Sequence, residues 1–265
     1  MDELKIALIQ SDITWEDPEK NLAMFSGIIA GYVHEPVDLI FLPEMFNTGF
    51  SANPEKCAEE MDGKSIRFLE ETAKLRNCTI MTSLLIHEGT GYTNRLVTVP
   101  PDGPVHHSDK RHLFRLSEEF NVLRQGKKKV VEHVQGWNIL PLICYDLRFP
   151  VWSRNAYAEG KYAYDLLVYL SNWPASRSDV WKSLLVARAI ENLSFVVGVN
   201  RIGFDGFGTY HSGDSMVIDP KGRILLAANP GEQGVFEFTL SMKELVKTRE
   251  SFPFGQDWDQ FTIIP

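Results

Sequence analysis

Two apolar runs of strand length, each opened by an aspartate, constrain this chain more than any other feature: Asp38-Leu-Ile-Phe-Leu42 and Asp165-Leu-Leu-Val-Tyr-Leu170. Both are too short for a helix and too uniformly apolar for a half-exposed strand, so each reads as a buried strand of a parallel sheet. The same order of elements recurs around them. In the first half, Leu4–Gln10 reads as a strand and Pro18 opens a helix towards Tyr32. After the Asp38 run, a second helix carries Arg67 near its start and Arg76 near its end, and the strands Thr79–Ile86 and Tyr92–Val99 lead into the turn Pro100-Pro-Asp-Gly103. In the second half a strand ends at Ile143, a helix follows Pro150, and the Asp165 run precedes a helix from about Ser178 to Asn192. Then come Phe195–Val199 and Ser215–Ile218 with the turn Asp219-Pro-Lys-Gly222.

This order predicts an internal pseudo-duplication. Two half-sheets, each covered by helices on one face, bury their bare faces most simply by stacking them together. The expected fold class is therefore α/β, a four-layer α-β-β-α sandwich. No Gly/Ser linker or shift in composition separates the halves, and 265 residues lie within the range of one large α/β domain, so a single domain over residues 1–265 is expected.

Composition narrows the function classes. Twenty-seven Lys and Arg stand against 35 Asp and Glu, a net charge of −8, which is a poor balance for neutralising phosphates; no nucleic-acid partner is expected. No run approaches the roughly 18 apolar residues of a membrane span, and no membrane partner is expected. The start, Met1-Asp-Glu-Leu-Lys-Ile, lacks the basic and apolar regions of a signal peptide, which points to the cytoplasm. Three cysteines, Cys57, Cys78 and Cys144, form neither a disulfide framework nor a zinc spacing. His106, His107 and His112 lie on or near one loop, without a metal-binding helix motif, so neither metal nor cofactor is expected.

Three reactive side chains fall at strand ends or just beyond them, where active sites of open α/β sheets collect. Glu44 follows Leu39-Ile-Phe-Leu-Pro43, at the mouth of a buried strand, as a general base would; a capping or ion-paired role is the bland alternative. Lys110, in Ser108-Asp-Lys-Arg-His112, taken alone reads as a solvated surface lysine. Cys144 closes the strand Ile139-Leu-Pro-Leu-Ile143 just before a helix start, a place that favours a reactive thiol, although buried structural cysteines occur there too. Cys57 and Cys78 have no such context and read as structural. The sequence contains no Gly-x-Ser-x-Gly element of a serine hydrolase, and Gly203-x-x-Gly206-x-Gly208 lacks the order of a nucleotide loop, so it reads as a flexible loop near the pocket.

Taken together, Leu42-Pro-Glu-Met-Phe46, Asp109-Lys-Arg-His-Leu-Phe114 and Ile143-Cys-Tyr-Asp-Leu-Arg-Phe-Pro150 resemble the nitrilase superfamily of carbon-nitrogen hydrolases. Ser171-Asn-Trp-Pro174, Ala187-Arg-Ala-Ile-Glu-Asn192 and Ser212-Gly-Asp-Ser-Met-Val-Ile-Asp-Pro-Lys-Gly222 extend the resemblance over nearly the whole chain. It implies an α-β-β-α sandwich that forms homodimers or higher oligomers, with Cys144 as nucleophile, Glu44 as general base and Lys110 as electrostatic stabiliser. The family's second glutamate maps best onto Glu119, with Glu118 adjacent. Cys-Tyr-Asp, in place of Cys-Trp-Glu, is similar to the amidase branches rather than to true nitrilases.

The chain is most similar to the short omega-amidases, on Lys110-Arg-His-Leu-Phe-Arg115, Tyr169-Leu-Ser-Asn-Trp-Pro174 and Gly198-Val-Asn-Arg-Ile-Gly203. The implied substrate is a small molecule with a terminal amide and a far carboxylate, of the 2-oxoglutaramate or 2-oxosuccinamate type. That carboxylate calls for a cation, with Arg115, Arg177 and Arg201 as choices and Arg148 reading as a structural ion-pair partner within the catalytic motif. The backbone N–H of Tyr145 joins Lys110 as a donor for the oxyanion, and Phe46, Tyr145 and Trp173 are expected to wall the pocket. Hydrolysis of an N-carbamoyl amine or another aliphatic amide by the same triad is the alternative activity, and a binding scaffold that kept the fold is the non-enzymatic one. The helix after Pro150 and the aromatic tail Phe252-Pro-Phe-Gly-Gln-Asp-Trp258 are the surfaces expected in a dimer, unless the tail docks on its own subunit.

Overall fold

The structure, a computed structural model, describes residues 2–33 and 36–264. Among the described residues, twelve strands form two six-stranded sheets. The first sheet contains β1 (Glu3–Gln10), β2 (Leu39–Phe41), β3 (Thr79–Glu88), β4 (Gly91–Val99) and β5 (His106–Asp109). The second contains β6 (Glu132–Val134), β7 (Trp137–Ile143), β8 (Leu166–Ser171), β9 (Phe195–Asn200), β10 (Met216–Ile218) and β11 (Ile224–Ala227). The last strand, β12 (Gly234–Ser241), returns to the first sheet and pairs antiparallel with β1, from Glu3 opposite Ser241 to Gln10 opposite Gly234. The orders are thus β12-β1-β2-β3-β4-β5 and β11-β10-β9-β8-β7-β6.

The internal repeat is visible strand by strand. β1, β2 and β3 run parallel and continue into antiparallel β4 and β5; β7, β8 and β9 run parallel and continue into antiparallel β10 and β11. In each half the Asp-led apolar run is the middle parallel strand, which explains its lack of alternation: β2 and β8 are buried on both faces.

Side-chain alternation divides the first sheet between two cores. From β1, Leu4, Ile6 and Leu8 join Phe41, Met81 and Leu96 against the second sheet's Ile139, Leu166, Val168 and Val197. Ala7 and Ile9, pointing the other way, pack with Phe25, Ile29, Ile66 and Leu69 of the helices α1 (Pro18–Tyr32) and α2 (Lys64–Arg76). Asp17 caps α1 by accepting from Lys20 N at 3.2 Å, with Pro18 in the first turn, and Asn77 closes α2 in the left-handed region at φ 51. On the far side of the second sheet, Trp181, Leu185 and Ala189 of α3 (Ser178–Asn192) complete the fourth layer. The α-β-β-α sandwich is thereby present.

Two expected features take a definite form. The helix after Pro150 is one turn, Pro150–Ser153, because Asn155 takes over the backbone beyond it: its side chain accepts from Ala156 N and Tyr164 N and donates to Tyr164 O and Asn192 O. The aromatic tail lies partly on its own subunit, where Trp258 packs edge-on to Tyr162 and beneath the Arg154 guanidinium at 4.4 Å, while Phe252 stays exposed. Among the described residues, no helix is long and apolar enough to cross a membrane.

Phe41 is fully buried where the two sheets meet. Phe41→Ala is expected to lower the unfolding free energy by about 3–5 kcal/mol in a denaturant titration. A loss below about 1 kcal/mol would contradict sheet-on-sheet packing at this position.

Candidate active site

The chain turns left-handed at two places beside the strand ends, at Met45 (φ 46) and at Cys144 (φ 40). A non-glycine residue in that region stores strain that its surroundings must hold. After β2, the chain passes through Leu42 and Pro43, and Thr48 N and Gly49 N both donate to Met45 O, so the backbone folds back at once. Glu44 is thereby aimed inwards, while Phe46 is sent to the helix layer, edge-on to Phe25 at 5.4 Å and stacked on Phe68 at 6.2 Å. Phe46 is a core residue and does not wall the pocket.

Four elements converge on Lys110, which follows β5 and is completely buried. Its Nζ donates to Glu44 Oε1 at 2.9 Å and to Glu119 Oε1 and Oε2 at 2.8 and 3.0 Å. Asn94, inside β4, donates to both carboxylates, at 2.8 Å to Glu44 and 3.2 Å to Glu119. Phe114 N closes the cluster on Glu119 Oε2 at 2.6 Å. Of the two adjacent glutamates, Glu119 faces Lys110; Glu118 is exposed and accepts from Asn121. Burial opposes the Lys110 charge, but Glu119 and Glu44 outweigh it and raise the ammonium's pKa, so the cation persists across the physiological range. Burial pushes the Glu119 carboxyl up, against the pull of Lys110.

Cys144 opens a single turn of 3₁₀ helix, Cys144–Arg148, at the end of β7. Asn172, directly after β8, stands between it and Glu44: Asn172 N donates to Glu44 Oε2 at 2.9 Å, and Asn172 O accepts from Cys144 Sγ at 3.9 Å. The Asn172 side chain also donates to Glu44 O at 2.6 Å, joining the strand ends of the two sheets. Burial first, and then the Glu44 charge, raise the Cys144 thiol well above its ordinary range, with Lys110 pulling the other way. The resting sulfur is a thiol beside a carboxylate, an arrangement suited to proton removal during attack. The leading amides of the 3₁₀ turn, Tyr145 N–H among them, have no acceptor within that turn.

A cavity of about 310 Å³ lies over Cys144 and Lys110, at the small end of the range for small-molecule sites. Phe50, Phe114, Tyr145 and Trp173 supply its apolar walls. Arg148 and Arg177 are its two arginines, the first held over the Trp173 ring at 4.9 Å and the second over Phe114 at 5.6 Å. Neither guanidinium has an ion-pair partner among the described residues. Arg148 therefore belongs to the pocket and not to a structural ion pair. Its single carboxylate besides those bonded to Lys110, Asp205, is occupied by Phe207 N, Thr209 N and His211 Nε2.

The other expected cations lie elsewhere. Arg115 is exposed and stacks on Phe120 at 4.0 Å. Arg201 is fully buried, donating to Ile13 O, Ile202 O, Phe204 O and Asp12, and so clamps the base of the ribbon Ile202–Phe204/Tyr210–Ser212, whose tip carries the glycine loop to the pocket rim. Cys57 and Cys78 are buried away from the cavity, and burial pushes the Cys78 thiol up to about 12. Among the described residues, no three His, Cys, Asp or Glu side chains gather at metal-binding distance.

The carbon-nitrogen hydrolase family matches residues 5–250. The chain belongs to that family, within the nitrilase superfamily. This carbon-nitrogen hydrolase is 42% identical over 260 residues to the omega-amidase YafV of Escherichia coli (strain K12), covering 98% of each chain. It is 33% identical over 256 residues to the 2-oxoglutaramate amidase of Bacillus subtilis (strain 168), covering 95% of this chain and 96% of that one. Among solved structures, a CN-hydrolase superfamily protein of Xanthomonas campestris with an arsenic adduct in its active site superposes with a TM-score of 0.96 at 37% identity, over 99% of this chain and 100% of that one. Nit3 of Saccharomyces cerevisiae superposes with a TM-score of 0.80 at 25% identity, over 95% of each chain. The enzyme is an amidase acting on carbon–nitrogen bonds other than peptide bonds.

Glu44→Gln removes the charge that, after burial, most raises the Cys144 thiol. The pH midpoint for iodoacetamide alkylation of Cys144, measured against a Cys144→Ala background, is expected to fall. An unchanged or raised midpoint would contradict this electrostatic order.

Proposed function

We propose that the enzyme hydrolyses the terminal amide of a small omega-amido carboxylate, of the 2-oxoglutaramate or 2-oxosuccinamate type, to the acid and ammonia through a thioester on Cys144. The observation that carries the substrate class is the charge of the cavity: two unpaired guanidiniums, with a carboxylate already consumed by its own loop, suit an anionic far end and disfavour a cationic one. The relatives called omega-amidase and 2-oxoglutaramate amidase support the same reading.

In this mechanism Glu44 takes the Cys144 proton as sulfur attacks the amide carbon, forming the C–S bond and moving the carbonyl electron pair onto oxygen. Lys110 and Tyr145 N–H stabilise that oxyanion. Glu44 returns the proton to nitrogen, the C–N bond breaks, and ammonia leaves. A water, deprotonated by Glu44, then attacks the thioester; the C–S bond breaks and the sulfur recovers its proton. Glu119 holds Lys110 and, through the shared Asn94, Glu44. Arg177 and Arg148 hold the far carboxylate, and Tyr145 and Trp173 line its path.

Ammonia release is expected to be fastest with 2-oxoglutaramate when compared with glutamine, a simple aliphatic amide and an N-carbamoyl amine at neutral pH. Preference for the N-carbamoyl amine or the neutral amide would move the enzyme to the alternative substrate class. Cys144→Ala is expected to abolish turnover without lowering the thermal midpoint, and retained hydrolysis would overturn the nucleophile assignment.

Arg177→Ala is expected to lower kcat/KM for 2-oxoglutaramate by about tenfold or more while sparing a neutral amide, since it removes a charge-assisted hydrogen bond. Equal losses on both substrates would count against Arg177 as the carboxylate's partner.

A further inference from the structure

Asp146 is buried two residues after Cys144, and its carboxylate touches no part of the cavity described above. Oδ2 accepts from Ile143 N at 3.2 Å, the residue immediately before the strained Cys144. Oδ1 accepts from His112 N at 3.0 Å and lies 2.8 Å from His112 Nδ1, two residues beyond Lys110. The His112 ring is stacked flat on Phe149, with centroids 3.7 Å apart and planes 7° apart, and stands edge-on to Trp152. Arg111, between Lys110 and His112, lies over Trp152 at 5.4 Å. The lysine loop is therefore moored to the segment that follows the nucleophile, and Asp146 is the polar contact between them.

We infer that Asp146 and His112 form a positioning pair that sets Lys110 and Cys144 at their working separation. Three N–H donors converge on the two Asp146 oxygens, so an amide in its place must turn its NH₂ towards a donor. His112 contributes two separable features, an N–H to the carboxylate and a flat ring on Phe149. Asparagine can carry a donor close to the Nδ1 position but loses the stack; phenylalanine keeps the stack and loses the donor. The pair acts on kcat, because a misplaced oxyanion donor weakens the transition state while leaving the Arg148 and Arg177 side of the cavity intact.

This inference rests on the roles proposed for Cys144 and Lys110, and its test is separate from theirs. With 2-oxoglutaramate, His112→Phe and Asp146→Asn are each expected to lower kcat by about a hundredfold with KM within about threefold, the effect of a small displacement of reacting groups. His112→Asn is expected to retain kcat within about tenfold, and the double variant His112→Phe/Asp146→Asn to lose no more than the worse single one, as for residues acting as a unit. Should Asp146→Asn fail to fold, the two His112 variants alone decide the matter. Wild-type kcat in His112→Phe, or equal losses in His112→Phe and His112→Asn, would overturn the inference, whereas loss of the nucleophile assignment itself is read only from Cys144→Ala.

Discussion

The Lys110 ammonium, sealed between Glu44 and Glu119, is the interaction on which the rest of the site depends. Two carboxylates sharing one buried space repel each other and are costly to desolvate, and a cation bonded to both offsets that cost. Removing it would leave two unpaired buried acids, which explains why so much backbone converges there: the end of β2, the end of β5, the interior of β4 and the short helical turn at Glu119. Asn94 donates to both acids, and Asn172 N on Glu44 and Phe114 N on Glu119 supply further donors. The cluster is as much a structural keystone as a source of charge, and the Cys144 thiol sits in the field it creates.

That field divides labour within the site. Glu44 and burial hold the Cys144 proton in place at rest, and Lys110 eases its departure. A thiol held this way favours general-base attack over a stored thiolate in the mechanism proposed above. The pocket above adds apolar walls, two guanidiniums resting on aromatic faces and the Asp205 carboxylate held by its own loop, so in the proposed function selection among amides falls to the far end of the substrate.

Much of the fold was legible because its strongest signals are local. Asp38–Leu42 and Asp165–Leu170 announced the middle strands, and Glu44 and Cys144 were visible as polar residues placed after uninterrupted apolar strands. The quieter elements carry no apolar run: β5 reads His-His-Ser-Asp, and β12 alternates Phe236 and Phe238 with Glu237 and Thr239. Lys110 looked like a surface lysine because its two partners are contributed from 66 and 9 residues away. Phe46 and Arg148 were misplaced for one reason: they lie in the motifs around Glu44 and Cys144, and proximity in sequence says nothing about which way a turn points a side chain; the left-handed residues at Met45 and Cys144 bend the chain there. Arg201 was misplaced because its partners, Ile13 O and Asp12, come from the far end of the chain. Asn94 was invisible for a further reason, since a polar residue in mid-strand acquires meaning only from what two other elements bring opposite it.

The repeat explains why the chemistry lies at the seam and yet is unequal between the halves. β2 and β8 occupy the same place in their sheets, and the residues past their ends, Glu44 and Asn172, meet across the sandwich through two hydrogen bonds, from Asn172 N to Glu44 Oε2 and from the Asn172 side chain to Glu44 O, while Asn172 O accepts from the Cys144 thiol. β1 and β7 are likewise equivalent, but their ends have diverged. Gln10 at the end of β1 is fully buried and spends its side chain on Asn229 O, Glu232 O and Ser215 N, bracing the return of the chain into β12. Cys144 after β7 faces the cavity. Of two equivalent strand ends, one thus carries a brace and the other a thiol facing the cavity. The brace matters to the Cys144 site, because β12 completes the first sheet that presents Glu44 and Lys110, and neither half can assemble the acid, the cation and the thiol without the other.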